Sequence, residues 1–332
     1  MNTDHPKINF GKTGVLLVNL GTPDSTKWLD IRKYLKEFLS DKRVIEVNPF
    51  FWQIILNLFI LNFRPSKTAK AYKEIWMKKE DMSPLRYYTI MQTKKLMDRI
   101  SNSDLIVDYA MRYGNPSIKN KVNKLHDAGC ERLVVLPLYP QYAAATTATV
   151  CDEVYRVLMG MRWQPSLQII PHYESEPLYI NALSNSLNLK IKELNWKPDL
   201  VVASYHGIPQ KYFDKGDPYH CYCHKTTRLL TENFKDTEIK TTFQSRFGPE
   251  AWLKPYTDKT LEELPKQGKK NILVICPGFS SDCVETLEEI SIQGKESFLK
   301  SGGEKFDTIP CLNDNEDHIK LLVHLINKSI RK

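Results

Sequence analysis

Four short runs of consecutive apolar residues punctuate the chain. They lie in Gly14–Gly21, Arg132–Pro137, Asp199–Ser204 and Lys270–Pro277. Each is rich in β-branched residues and none alternates, the pattern of strands covered on both faces. Between them lie stretches with apolar residues at helical spacing: Trp28–Leu39, Ser117–Ala128, Tyr179–Leu194, Lys225–Phe234 and Asp258–Leu264. Strand alternating with helix predicts βα units and parallel sheets, an α/β fold. The halves also repeat. Asp127–Arg132 leads into a strand ending at Pro137, then a loop, then a helix from about Thr149; Gln267–Lys270 leads into a strand ending at Pro277, then a loop, then a helix from about Asp282. The pattern predicts a duplicated open α/β unit, residues 1–165 and 166–332, joined near Trp163–His172. Two such units face each other across a cleft lined by strand-end loops.

One stretch breaks the pattern. An insertion over about 44–85 carries Asn48–Arg64, apolar nearly all round with only Gln53, Asn57 and Asn62 as relief. A helix of that kind is either buried in a core or forms a greasy lip at the cleft mouth. Arg64, Lys67 and Lys70 follow it, and basic residues beside an apolar face favour the lip, in contact with anionic headgroups. The apolar tract is shorter than the ~20 residues that a spanning helix needs.

Composition narrows the partners. The 332 residues include 47 Lys+Arg against 39 Asp+Glu, a net charge of +8 spread along the chain. That excess suits anionic small molecules or a membrane surface; no basic tract or nucleic-acid motif points to DNA or RNA. Seven scattered cysteines, an odd number, fit a reducing, cytoplasmic setting better than a disulfide frame. The start, Met1–Pro6, lacks the charged and apolar regions of a signal peptide. No strand is followed by G-x-G-x-x-G and there is no Walker A motif, so nothing points to a nucleotide.

The chemistry gathers in the second half. His206, in Ser204–Pro209, follows one buried strand; Asp282, Glu285 and Glu289 follow another. Open α/β sheets bind ligands at the carboxyl ends of their strands. The three acids lie at i, i+3 and i+7, one stripe on an α-helix. Asp282-x-x-Glu285 is equally a capping-box-like pattern at a first turn. A neutral imidazole beside carboxylates suits a divalent metal and proton transfer. Across the cleft, Arg112 has the fork to hold a substrate carboxylate, and Tyr113 and Tyr142 have rings to pack on a flat ligand.

These residues together resemble the ferrochelatases, which insert ferrous iron into a porphyrin. The resemblance runs from about Gly14 to the C-terminus. It is carried by Leu17–Pro23, Met82–Leu85, Met111–Gly114, Leu138–Tyr142, Ser204–Pro209, Gly216–Tyr219, Phe243–Pro249, Trp252-Leu253 and Pro277–Glu289. It implies two Rossmann-like, doubly wound halves around a porphyrin cleft. It also implies that His206 and Glu285 are the metal-binding and catalytic pair, with Asp282 and Glu289 on a proton or metal path. Arg112 and Tyr113 match the opposite wall, Ser83 a serine near a propionate, and Trp252 a pocket tryptophan. Leu20 stands where some relatives have methionine, and Tyr142 belongs to the Leu138–Tyr142 motif. The substrates implied are protoporphyrin IX and Fe2+, with coproporphyrin as the alternative and a non-catalytic haem carrier or a cobalt chelatase as weaker ones. No cofactor is implied. Animal-type members bind a [2Fe–2S] cluster through a C-terminal extension, whereas this sequence stops at Lys332, and Ala144 stands where that cluster draws an upstream cysteine.

His220-Cys221-Tyr222-Cys223-His224 stands outside the resemblance. Four soft or borderline donors in five residues look like a metal site, but the C-x-x-C spacing is missing and neighbouring donors do not all wrap one ion. The simpler reading is a cluster at a helix start.

Overall fold

The computed structural model describes residues 11–100, 104–234 and 237–330. The N-terminal stretch Met1–Pro6 and the final Arg331-Lys332 lie outside them. Eight strands form two four-stranded parallel sheets. The first holds β1 (Lys12–Thr22), β2 (Leu105–Gly114), β3 (Cys130–Pro137) and β4 (Ser166–Ile169) in the order β2-β1-β3-β4. The second holds β5 (Leu200–His206), β6 (Ile239–Gln244), β7 (Asn271–Ile275) and β8 (Lys305–Thr308) in the order β6-β5-β7-β8. The two orders are the same, strand for strand, as the repeat in the sequence predicts.

The four expected strands are the two innermost of each sheet. Val15 faces Val107 on one side and Val134 on the other; Ala203 faces Thr241 and Ile275. The other four are edge strands and lacked an apolar run. One of them moves a border. β4 pairs with β3, Arg132 opposite Ser166, so the first sheet runs on to Ile169 rather than ending at 165.

The halves share one continuous core that includes Val15, Leu17 and Leu96 of the first and Val201, Ala203 and Leu273 of the second. Helix Pro84–Arg99, capped by Ser83, packs on the C-terminal helix Glu316–Ile330. From it the Gln92 amide donates to Ser281 Oγ at 3.0 Å, Asn313 O at 2.8 Å and Ser280 O at 3.3 Å. A buried amide with several partners holds its segment in one place.

The insertion is not wholly buried as a core helix would be; it keeps one apolar face in the open. Asn48 caps it by accepting the Phe50 N–H, with Pro49 at the first helical position. Helix Pro49–Ile55 passes through a π-helical turn, Leu56–Ile60, into helix Leu61–Ile75. Leu56, Leu61, Ala69, Tyr72 and Ile75 are buried, while Phe50 (71%), Phe51, Leu58, Phe59 and Phe63 (76%) lie exposed. The Asn57 and Asn62 amides donate back to the carbonyls of Gln53 and Leu58. Its polar side chains are thus folded onto the helix itself, leaving the outer face apolar. No helix among the described residues is long and apolar enough to cross a membrane.

Candidate active site

A narrow slot opens between the halves. Its walls include Leu20, Gly21, Tyr34, Tyr72 and Ser83 from the first half and Cys283, Val284 and Glu285 from the second. Three expected site residues, Leu20, Ser83 and Glu285, therefore share one cavity. Its free volume is about 10 Å³, enough for one water. The slot as it stands is far smaller than a tetrapyrrole. Gly21 is dictated by the close packing here: its φ is +116°, and a Cβ would lie 1.8 Å from Tyr113 O.

Glu285 opens a π-helical segment, Glu285–Gly294. Wide turns of this kind are rare and gather at functional sites. Asp282 lies before the segment, so the expected three-acid helix stripe is not formed. Its carboxylate accepts from Asn313 Nδ2 at 2.7 Å, Thr286 Oγ1 at 3.0 Å and Cys311 N at 3.2 Å. Asn313 Oδ1 in turn accepts the Asp282 N–H at 2.8 Å. The geometry makes Asp282 the anchor of the turn, with no free oxygen pair for a metal.

Glu289 is the link. Its carboxylate accepts the Ser245 N–H at 2.7 Å and the Gln244 amide at 3.3 Å, and it also takes the Ser245 hydroxyl. Ser245 has φ +64°, a left-handed backbone that is uncommon for a non-glycine residue and is found at strained functional positions. Burial raises the Glu289 pKa most; the Ser245 hydroxyl and the field of His206 oppose it, and Glu285 adds to it. Glu289 therefore lies within the electrostatic reach of both His206 and Glu285. Gln244, the register partner of His206, also donates to Glu285 O at 2.8 Å. Strand end and π-turn are stitched together, and no hydrogen bond joins His206 to Glu285 directly.

His206 ends β5, half-buried, with Nδ1 2.6 Å from Gly207 O. A carbonyl only accepts, so Nδ1 carries a proton and donates it to Gly207 O. Trp252 covers the next residue: a Cβ on Gly207 would lie 3.1 Å from its ring and 2.9 Å from Gln244 O. Beyond Glu289 a second cavity of about 360 Å³ is lined by Gln244, Ser245, Arg246, Asp258, Glu289 and Gln293, among others.

Two expected wall residues are committed elsewhere. Arg112 is buried, paired with Asp41, and donates through Nε to Thr149 O at 3.0 Å and Oγ1 at 2.7 Å. Tyr113 donates to Asp41 at 2.9 Å and is fully buried. Arg112 thus already has its carboxylate, and Tyr113 has no ring face to offer a ligand. Tyr142 is half-buried, lies in the field of Asp217 and Arg43, and does not line the slot.

Arg64 is an arginine whose side chain is less fully committed than that of Arg112. Its guanidinium stacks 4.4 Å from the Phe247 ring, and its buried Nη1 has no hydrogen-bond partner. Burial lowers its pKa, and Glu285 partly offsets that. A half-buried guanidinium with one buried, unpartnered N–H group has a donor to spare for an anion. Its position just after an apolar run was the available signal, and that signal reads equally well as a headgroup contact.

The sequence model of the family described as Ferrochelatase matches residues 12–330. A ferrochelatase of Allorhizobium ampelinum is 54% identical over 332 residues, covering 99% of this chain and 96% of the relative. One of Rhizobium meliloti is also 54% identical, covering 99% and 98%. Among solved structures, SirB from Bacillus subtilis with Fe3+ shares the fold at TM-score 0.59 and 12% identity over 96% of each chain.

Proposed function

The chain belongs to the ferrochelatase family, enzymes that insert iron into a porphyrin, and from that premise we propose that His206 and Glu285 are the pair between which the reaction runs. The observation that carries this is Glu289. One carboxylate, set by a strained serine, lies in the fields of both residues and also lines a cavity of about 360 Å³.

Fe2+ enters a porphyrin only as both inner N–H protons leave, and a planar ring opens its central hole poorly. An active site that holds the ring bent binds something nearer the transition state than the relaxed substrate. Nε2 of His206, the ring nitrogen not turned to Gly207 O, accepts a pyrrole proton. Glu285, at the mouth of the π-turn, holds the incoming cation or passes the proton on to Glu289. Burial keeps Glu289 readier to be protonated than an ordinary glutamate, which suits a relay toward the second cavity. Asp282 serves by fixing the turn through Asn313.

Leu20, Tyr34 and Tyr72 give the slot an apolar wall, and Ser83 and Arg64 supply a hydroxyl and a cation for a propionate. The substrate that suits this balance is protoporphyrin IX, with two carboxylates, rather than coproporphyrin, with four. Trp252 packs over Gly207 and pairs with Pro209, and so steadies the loop that follows His206. The exposed Phe50–Phe63 face would rest on the cytoplasmic side of a membrane, from which an apolar porphyrin arrives.

Anaerobic incubation with protoporphyrin IX and Fe2+ tests the assignment through the absorbance of the haem formed. His206→Ala and Glu285→Gln should each lose about 10²–10⁴-fold in kcat. Near wild-type turnover in either variant would remove that residue from the reaction. Arg64→Gln should raise KM for protoporphyrin and leave kcat nearly unchanged; an unchanged KM refutes its role.

A further inference from the structure

The five-residue cluster at 220–224 is sorted by the helix it begins. In Tyr219–Glu232, Cys223 is fully buried and its thiol pKa is pushed up by burial. Cys221 is exposed. His220 and His224, one helical turn apart, come together with ring centroids 4.4 Å apart and planes at 50°. His220 is wedged between Phe213 at 5.1 Å and Phe243 at 5.7 Å, almost parallel to the latter. Neither imidazole engages a hydrogen-bond partner or a carboxylate in the structure. The nearby Asp217 is occupied by the N–H groups of Ala144 and Tyr219.

We propose that His220 and His224 form a second cation site, a two-imidazole clamp for a borderline divalent transition metal. Two histidines at i and i+4 on a helix present their nitrogens to one point, as in helical zinc motifs. The stack on Phe243 fixes one ring in advance. Burial lowers the pKa of both, and His220 adds to the effect at His224, so the rings are neutral ligands near pH 7. Among the described residues no group of three or more His, Cys, Asp or Glu side chains is placed to hold a metal; water completes the coordination.

Imidazole donors favour Cu2+, Zn2+, Ni2+ and Co2+, and at a given site Fe2+ binds more weakly than these. The clamp therefore takes the ions that compete with iron rather than iron itself. Phe243 and Gln244 are successive residues of β6, so their side chains leave opposite faces of the sheet. Gln244 faces Glu285 and Glu289; Phe243 faces the clamp. The two metal sites are thus separated by the sheet, and each fills without the other.

Co2+ titration of the full chain, followed by its visible absorption and by calorimetry, tests the site. His206→Ala, which removes the imidazole of the iron site, should still bind one Co2+ per chain with nitrogen-ligand bands. The double variant His206→Ala/His224→Gln should lose that ion. His224→Gln alone, at an exposed position, should keep its fold by circular dichroism and keep iron insertion within twofold of wild type, about the resolution of such assays. Cys221→Ser should bind Co2+ as the parent does. No bound Co2+ in His206→Ala, equal binding in the double variant, or loss caused by Cys221→Ser would each overturn the clamp. None of those results bears on the roles of His206 and Glu285.

Discussion

The two halves run the same course and put different chemistry at the same place. In each, the third strand leads through a loop to a π-helical turn and then a helix: Ala144–Ala148 before Thr149–Met159, and Glu285–Gly294 before Lys295–Lys300. In each, the end of the second strand reaches over to fasten that turn. In the first half Arg112 and Tyr113 do so through Asp41 and Thr149. In the second half Gln244 and Ser245 do so through Glu285 O and Glu289. The first fastening is a closed ion pair around a turn of small neutral residues. The second uses neutral donors, so no cation is locked onto its carboxylates. In the proposed assignment a duplicated frame divides its labour: one copy braces, and the other carries the reaction.

The largest effect expected from breaking this contrast is kinetic. His206→Ala should cost about 10²–10⁴-fold in haem formation, whereas Thr149→Val, at the turn of the bracing half, should lower the urea midpoint and leave kcat within a few-fold. A comparable kcat loss in both would erase the division.

Asp41→Asn comes next, and it acts on stability. It leaves Arg112 as an unpaired buried cation, at a cost of about 3–5 kcal/mol in urea unfolding. Burial pushes the Asp41 pKa up, but hydrogen bonds from Thr149, the Arg43 N–H and Tyr113, with the charge of Arg112, hold it below the ordinary value on balance. A lowered carboxyl stabilises fully above the ordinary aspartate range and loses that contribution as pH falls through the lowered value. The gap between Asp41→Asn and wild type should therefore be widest near neutrality and narrow in acid.

Glu289 should show the opposite sign. Its pKa is raised, chiefly by burial, so the folded protein holds this proton more tightly than the unfolded chain. Stability then declines as pH rises from the ordinary glutamate value through the raised one. Glu289→Gln should melt slightly higher than wild type at pH 7, with little difference in acid, while turning over more slowly. A lower melting temperature at neutral pH would contradict the burial argument. Smallest in its effect on turnover is the lip. Phe50→Asp/Phe59→Asp should abolish flotation with anionic vesicles and leave kcat for detergent-dispersed porphyrin unchanged; retained flotation would place the membrane contact elsewhere.

The legible part of the fold was the part covered on both faces. β1, β3, β5 and β7 announce themselves because their central positions, such as Val15–Val18, Leu133–Leu136, Leu200–Ala203 and Ile272–Ile275, are all buried. β2 carries Asp108, which holds Lys121 and Lys124, and β6 reads Ile-Lys-Thr-Thr-Phe-Gln; an edge strand has polar partners at its flank and so lacks an unbroken run. The site was legible where chemistry is local. The candidate residues His206, after one strand, and Glu285 and Glu289, after another, are picked out by position, as the structure keeps them at those strand ends. The capture of Arg112 by Asp41, 71 residues away, is not, because a long-range partner leaves no trace in spacing. Asp282 was misplaced for a related reason: the stripe assumed an α-helical turn, and the segment is wider and starts later.

Gln92 has one more consequence. It ties the first half to three groups beside the loop that carries Glu285, and such a clasp acts as a hinge pin. Were the slot to open for a flat macrocycle, this point would be held, and the jaws would part at the far side, where the exposed phenylalanines Phe50, Phe51, Phe59 and Phe63 stand free of the core. Motion would then be greatest at the edge that meets the substrate and least at the carboxylates that act on it.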